Sequence, residues 1–151
     1  MLEAATLLDI PEVVELGRVM HAESDYRGEH YSPEKVGRLM ASLAAGGGLL
    51  LVERSGGRIV GAVAGCVQPQ WFGDDLIGLE YGVFVLPEVR ASLSGGKVFL
   101  RLLRGLQHWC RAQGARRLRA GITTGVHLEI TSALYRAQGF HDAGAFFEME
   151  L

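Results

Sequence analysis

Two cysteines, a formal net charge of only -2 and no long apolar run remove several function classes from this 151-residue chain before any motif is read. Cys66 and Cys110 both sit inside apolar runs, and neither has a second cysteine or a histidine at metal-ligand spacing. Both therefore read as reduced core residues, with no metal site expected around them. Lysine and arginine total 15 against 17 aspartates and glutamates, which leaves nothing to suggest a nucleic acid or an anionic membrane surface as partner. No apolar stretch approaches the roughly twenty residues needed to cross a bilayer. Met1 to Ile10 lacks a basic leader and a long enough apolar stretch for a secretory signal, so the expected location is the cytoplasm. The five histidines are scattered, and no Ser/His/Asp arrangement can be read from them. Gly95-Gly96-Lys97 lacks the upstream glycine and the following Ser or Thr of a nucleotide-binding P-loop.

What is present is enough for one domain with a working core, with apolar residues at 48% and charged residues at 21%. Glycine is plentiful at 21 residues, and it falls between elements. A short strand is expected near Glu3 to Thr6, followed by Asp9-Ile10-Pro11-Glu12, which reads as a capping box opening a first helix. Ser32-Pro33-Glu34 opens a second helix whose Val36, Leu39, Met40 and Leu43 form a buried stripe. The period then changes: Leu49 to Val52 and Ile59 to Val63 read as strands joined by a tight turn at Ser55-Gly56-Gly57. A third strand runs from about Leu76 to Val85 after a loop at Gln70 to Asp75. The longest helix spans Gly95 to Gly114, apolar on one side and basic on the other. A strand near Arg117 to Ile122, a helix ending at Gln138-Gly139-Phe140, and a closing strand with Phe147, Met149 and Leu151 alternating complete the chain. This order predicts an α/β domain with a mixed, mostly antiparallel central sheet flanked by about four helices.

The chemistry concentrates between Glu80 and Gly96, where a hydrophobic strand passes through Pro87, Arg90 and a loop of small residues into the longest helix. The free N-H groups of a helix start carry partial positive charge, and Gly95 and Gly96 would let a phosphate approach the backbone. Ordinary turn-making glycine at a strand-to-helix connection accounts for the same residues equally well. The loop before Leu76 sets Trp71 and Phe72 beside Asp74 and Asp75. Two rings and two carboxylates can hold an ammonium by charge and cation-π attraction worth about 0.5 to 2 kcal/mol, although a solvated turn with hydrophobic anchors has the same composition.

Val85-Leu86-Pro87-Glu88-Val89-Arg90, followed by Ala91-Ser92-Leu93-Ser94-Gly95, resembles the pyrophosphate loop of the GNAT superfamily of acyl-CoA-dependent N-acetyltransferases. That loop reads Q or R, x, x, G, x, G or A; Arg90 and Gly95 match, and Leu93 replaces the first glycine. Ala133-Leu134-Tyr135-Arg136-Ala137-Gln138-Gly139-Phe140 is similar to the family's closing signature, with Leu128 where an asparagine is often found. The element order matches as well, so the resemblance covers nearly the whole chain. It implies a single GNAT-like domain over residues 1–151, acetyl-CoA as co-substrate, and direct attack by a bound amine in a ternary complex. Backbone near Phe84 and Val85 would pair with the pantetheine arm, and the loop from Arg90 through Ala91, Ser92, Leu93, Ser94, Gly95 and Gly96 would hold the pyrophosphate. Tyr135 corresponds to the general acid beside the sulfur. Glu80 stands where several members carry the carboxylate that deprotonates the amine. The acceptor, a small molecule or a peptide amine, would enter past Trp71, Asp74 and Asp75; His127 precedes the Tyr135 helix and could touch the acceptor site, a surface position being the alternative. Homodimers are common in that family. A CoA-binding module without turnover is the alternative, favoured by Leu93 and Leu128.

Overall fold

The computed structural model of the protein describes every residue except Leu93. Gly56 and Gly57 both adopt positive φ (59° and 81°), the geometry of a type I′ turn, which joins two strands with the natural twist of a hairpin. Around this hairpin β1 (Leu2–Ala4), β2 (Leu49–Ser55), β3 (Arg58–Gln70), β4 (Gly73–Val85) and β5 (Arg117–Arg119) form one sheet in that order. The first four strands are antiparallel, and β5 runs parallel to β4. The helices are α1 (Ile10–Glu23), α2 (Pro33–Ser42), α3 (Pro87–Arg90), α4 (Gly95–Ala112) and α5 (Leu128–Ala137).

Strand alternation sends side chains to two cores. Leu50, Val52, Ala62 and Phe84 pack with Val13 and Leu16 of α1, while Val63 and Val85 pack with Val98, Leu102 and Leu106 of α4. Leu102, Leu103 and Leu106 are wholly buried, and each such side chain contributes about 1.5 to 3 kcal/mol. Helix α4 lies close to the sheet because β3 and β4 offer it glycine. A Cβ on Gly65 or Gly78 would stand 2.8 or 2.6 Å from Leu106 or Cys110.

Several expectations need correction. Asp9 does not cap α1, because it already has helical dihedrals in a preceding 3-10 turn; its carboxylate accepts instead from the Thr6 N-H at 2.8 Å and from Arg54. The loop expected at Gln70 to Asp75 shrinks to a turn at Trp71 and Phe72, since β3 and β4 pair as far as Gln70 and Gly73. The fifth strand ends at Arg119, three residues early. The closing strand does not form. Phe147, Met149 and Leu151 do alternate, but a strand exists only through pairing, and this segment pairs with no edge among the described residues and leaves all three exposed.

Candidate functional site

The site begins with an irregularity in β4. Ala64 faces Gly82 but Gly65 faces Glu80, so Tyr81 is an extra residue, a β-bulge. Bulges re-aim side chains. Gly78 lies against Cys110 on the α4 side, and Val83 and Val85 pack in the α4 core, so the face presented to α4 changes parity across Tyr81. Glu80 shares the face of Gly78, and at 2.6 Å its Oε2 accepts the hydroxyl proton of Tyr135, 55 residues away.

A second irregularity opens the sheet. Strand β5 pairs only with Ile77, Gly78 and Leu79, so the edge of β4 from Glu80 to Val85 has no strand partner on that side among the described residues. The chain after β5 is drawn across to the end of α1, where the Asp25 N-H donates to Thr124 O at 2.9 Å. Between them lies a cavity of about 500 Å³ bounded by the open edge of β4, the start of α4, α5 and the end of α1.

Nine of the residues singled out from the sequence line this cavity: Glu80, Phe84, Val85, Arg90, Ala91, Gly95, Gly96, His127 and Tyr135. The two glycines have different reasons for being there. A Cβ on Gly95 would stand 2.5 Å from Arg90 Cα and 2.6 Å from Val89 O, so close backbone packing requires glycine. A Cβ on Gly96 would meet nothing nearer than Leu134 at 4.0 Å, and one on Gly82 meets nothing at all. A group bound here could therefore reach the backbone of β4 and of the first turn of α4 directly, and an anion could meet the free N-H groups of that turn.

Ser92 and Ser94 face a smaller cavity on the other side of the loop, where their hydroxyls lie 2.8 Å apart and Ser92 Oγ donates to Val89 O. Leu93 lies outside the described residues. The structure does not bring Trp71, Asp74 or Asp75 to the main cavity. They sit at the tip of the β3-β4 hairpin, and Asp75 pairs with Arg116 at 3.0 Å.

The Tyr135 ring is fixed edge-on between Phe99 and Phe140, with centroids 5.5 and 5.2 Å away. Burial pushes the Glu80 carboxyl up to about 7, although the Tyr135 hydrogen bond pulls the other way. Tyr135 is raised far above the usual phenol range, first by burial and then by the neighbouring Glu80 charge and hydrogen bond. Its phenol therefore stays protonated while Glu80 stays charged.

Sequence reading passed over Met20 and Glu23 of α1, and Ile130, Thr131 and Leu134 of α5, all of which line the cavity. The α5 residues share the Tyr135 face at helical spacing, which the sequence does contain. Glu23 carries no such signal. His127 lines the cavity with φ of 47° and ψ of 47°, the single non-glycine residue at positive φ among the described residues. Strained backbone of this kind gathers at functional sites.

No family model and no curated protein matches the sequence. Solved structures do match over the whole chain. An acetyltransferase from Trypanosoma brucei aligns with a TM-score of 0.72 at 19% identity, covering 100% of this chain and 99% of that one. An aminoglycoside acetyltransferase from an uncultured soil metagenomic sample, in complex with sisomicin, gives 0.71 at 14% identity and covers 100% and 95%. An aminoglycoside 6'-N-acetyltransferase from Acinetobacter haemolyticus gives 0.69 at 17%, covering 100% and 99%. The chain has the GNAT-type acetyltransferase fold.

Proposed function

We propose that this protein is a cytoplasmic N-acetyltransferase that moves an acetyl group from acetyl-CoA to a primary amine by direct attack within a ternary complex. The observation that carries this reading is the 2.6 Å Tyr135-Glu80 hydrogen bond on the cavity wall, beside an unpaired strand edge and a glycine-opened helix start. Acetyl-CoA would lie along Phe84 and Val85 with its pyrophosphate at Arg90, Gly95 and Gly96, and when bound it supplies the thioester that the amine attacks.

The chain's own part is to position, to exclude water and to move protons. An acceptor ammonium must lose two protons, one to solvent as it becomes nucleophilic and one from nitrogen as the amide forms. Glu80 Oε2 takes the second. Its value of about 7 suits a base that must be charged to accept and neutral soon after. Once protonated, Glu80 no longer opposes loss of the Tyr135 proton, so Tyr135 Oη can donate to the departing sulfur and recover its proton from Glu80. The pair ends as it began. Each group covers the other's deficiency: the phenol beside a charged carboxylate is too weak an acid, and the protonated Glu80 returns a proton to it across the 2.6 Å hydrogen bond.

The test is incubation of purified protein with acetyl-CoA and a panel of amines including sisomicin, spermidine and peptide N-termini, with free thiol measured. Acceptor-dependent thiol release is expected. Binding of CoA without thiol release for any amine would assign a binding module instead, and no CoA binding would remove the reading altogether.

A further inference from the structure

The lining of the cavity contains an ion pair that a CoA site would have to disturb. Arg90 Nη2, at the end of α3, donates to Glu23 Oε1 at 2.6 Å and to Oε2 at 2.9 Å, and Glu23 is the last residue of α1. The Arg90 guanidinium also lies over the Phe84 ring, 5.5 Å from its centroid. Both side chains are about three-quarters covered, at 25% and 28% exposure. Arg90 contributes the one guanidinium or ammonium among the described lining residues.

We infer that Glu23 is the carboxylate that binds the ammonium group of the acceptor, and that it becomes available when an anion engages Arg90. The inference rests on the acetyltransferase reading, which places a pyrophosphate at Arg90. A phosphate there makes one guanidinium answer to two anions, whether Arg90 turns away from Glu23 or is shared. Glu23 is then left at the edge of a largely apolar cavity, its side chain 28% exposed, with its negative charge under-compensated. A cationic amine restores the balance. Cofactor and acceptor thus favour each other's binding through one exchangeable salt bridge, and by thermodynamic reciprocity the two effects are equal in size. Glu23 also lines the cavity from the end of α1. The substrate class is accordingly a cationic amine, such as a polyamine or aminosugar, in preference to a neutral one.

Calorimetry with CoA and with spermidine tests this on the intact protein. Glu23→Gln should bind CoA about twofold to tenfold more tightly than the parent, because Arg90 is no longer claimed by a carboxylate. CoA-saturated parent should bind spermidine about fivefold or more tightly than the CoA-free parent, and Glu23→Gln should lose that difference. Arg90→Gln should bind spermidine without CoA as well as the saturated parent does, a result that mere loss of a stabilising ion pair would not produce. Unchanged CoA affinity in Glu23→Gln, or spermidine binding that ignores both substitutions, would overturn the role of Glu23 while leaving the acetyltransferase reading intact. If CoA bound neither the parent nor any variant, both would fall.

Discussion

Replacing Glu80 with glutamine should make the protein more stable and less active, and the stability gain should have a definite pH signature. In the fold the carboxyl titrates at about 7 against an ordinary value of 4.5. The folded state therefore binds a proton that the unfolded chain has already released. Its stability is highest below the unfolded value, declines as pH rises from about 4.5 to 7, and is flat above that. An elevation of this size corresponds to about 3 kcal/mol of folding free energy lost across the interval. Glutamine keeps the shape, and its side-chain carbonyl still accepts from Tyr135 Oη, but it carries no charge to desolvate. Glu80→Gln should thus match the parent near pH 4.5 and exceed it by about 3 kcal/mol above pH 7, which for a domain of this size raises the melting temperature by about 6 to 12 °C. Thermal and denaturant unfolding of both proteins at several pH values would check it. A melting difference that stayed constant with pH, or a Glu80→Gln variant less stable than the parent at pH 8, would refute the placement of Glu80 as a desolvated carboxylate.

Tyr135→Phe keeps the ring between Phe99 and Phe140 and should lower turnover by about tenfold to a thousandfold with CoA affinity unchanged, as measured by thiol release at saturating acetyl-CoA. Because the hydroxyl also draws the Glu80 value down, the ascending limb of the residual pH profile should move upward. Gly96→Asp places a charge where a Cβ has open space, so the fold should survive while calorimetry shows CoA affinity reduced by about tenfold or more. Gly95→Ala forces a Cβ into the Arg90 and Val89 backbone and should instead cost about 1 to 3 kcal/mol of stability in urea unfolding. Leu106→Ala, at a wholly buried position on the sheet-facing side of α4, should cost about 2 to 5 kcal/mol in the same assay.

The elements that local chemistry specifies were legible in the sequence. Ser32 accepts from the Lys35 N-H at 3.3 Å and starts α2, Gly56 and Gly57 make the hairpin turn, and the apolar stripe of α4 is the side that packs on the sheet. Each of these depends on neighbours within a few residues. The strand-loop-helix start at Arg90 to Gly96 and the phenol at Tyr135 could be singled out for the same reason, since their signals lie in short contiguous motifs. The alternation of Phe147, Met149 and Leu151 misled because it describes which faces a strand would show and says nothing of whether a partner edge exists.

Everything that brings these residues together around one cavity depends on chain segments far apart. The sequence determined that a carboxylate stands in β4, a phenol in α5 and an arginine before α4. Whether Glu80 meets Tyr135 turns on one extra residue at Tyr81, because alternation has a period of two and a single bulge moves a side chain to the opposite face. The opening beside β4 exists because β5 pairs for three residues and then leaves toward Asp25. Arg90 finds Glu23 across 67 residues because α1 and α3 end on the same side of the cavity. Register, strand departure and helix-end placement are set by packing of the whole domain, so they could be decided only in the tertiary structure.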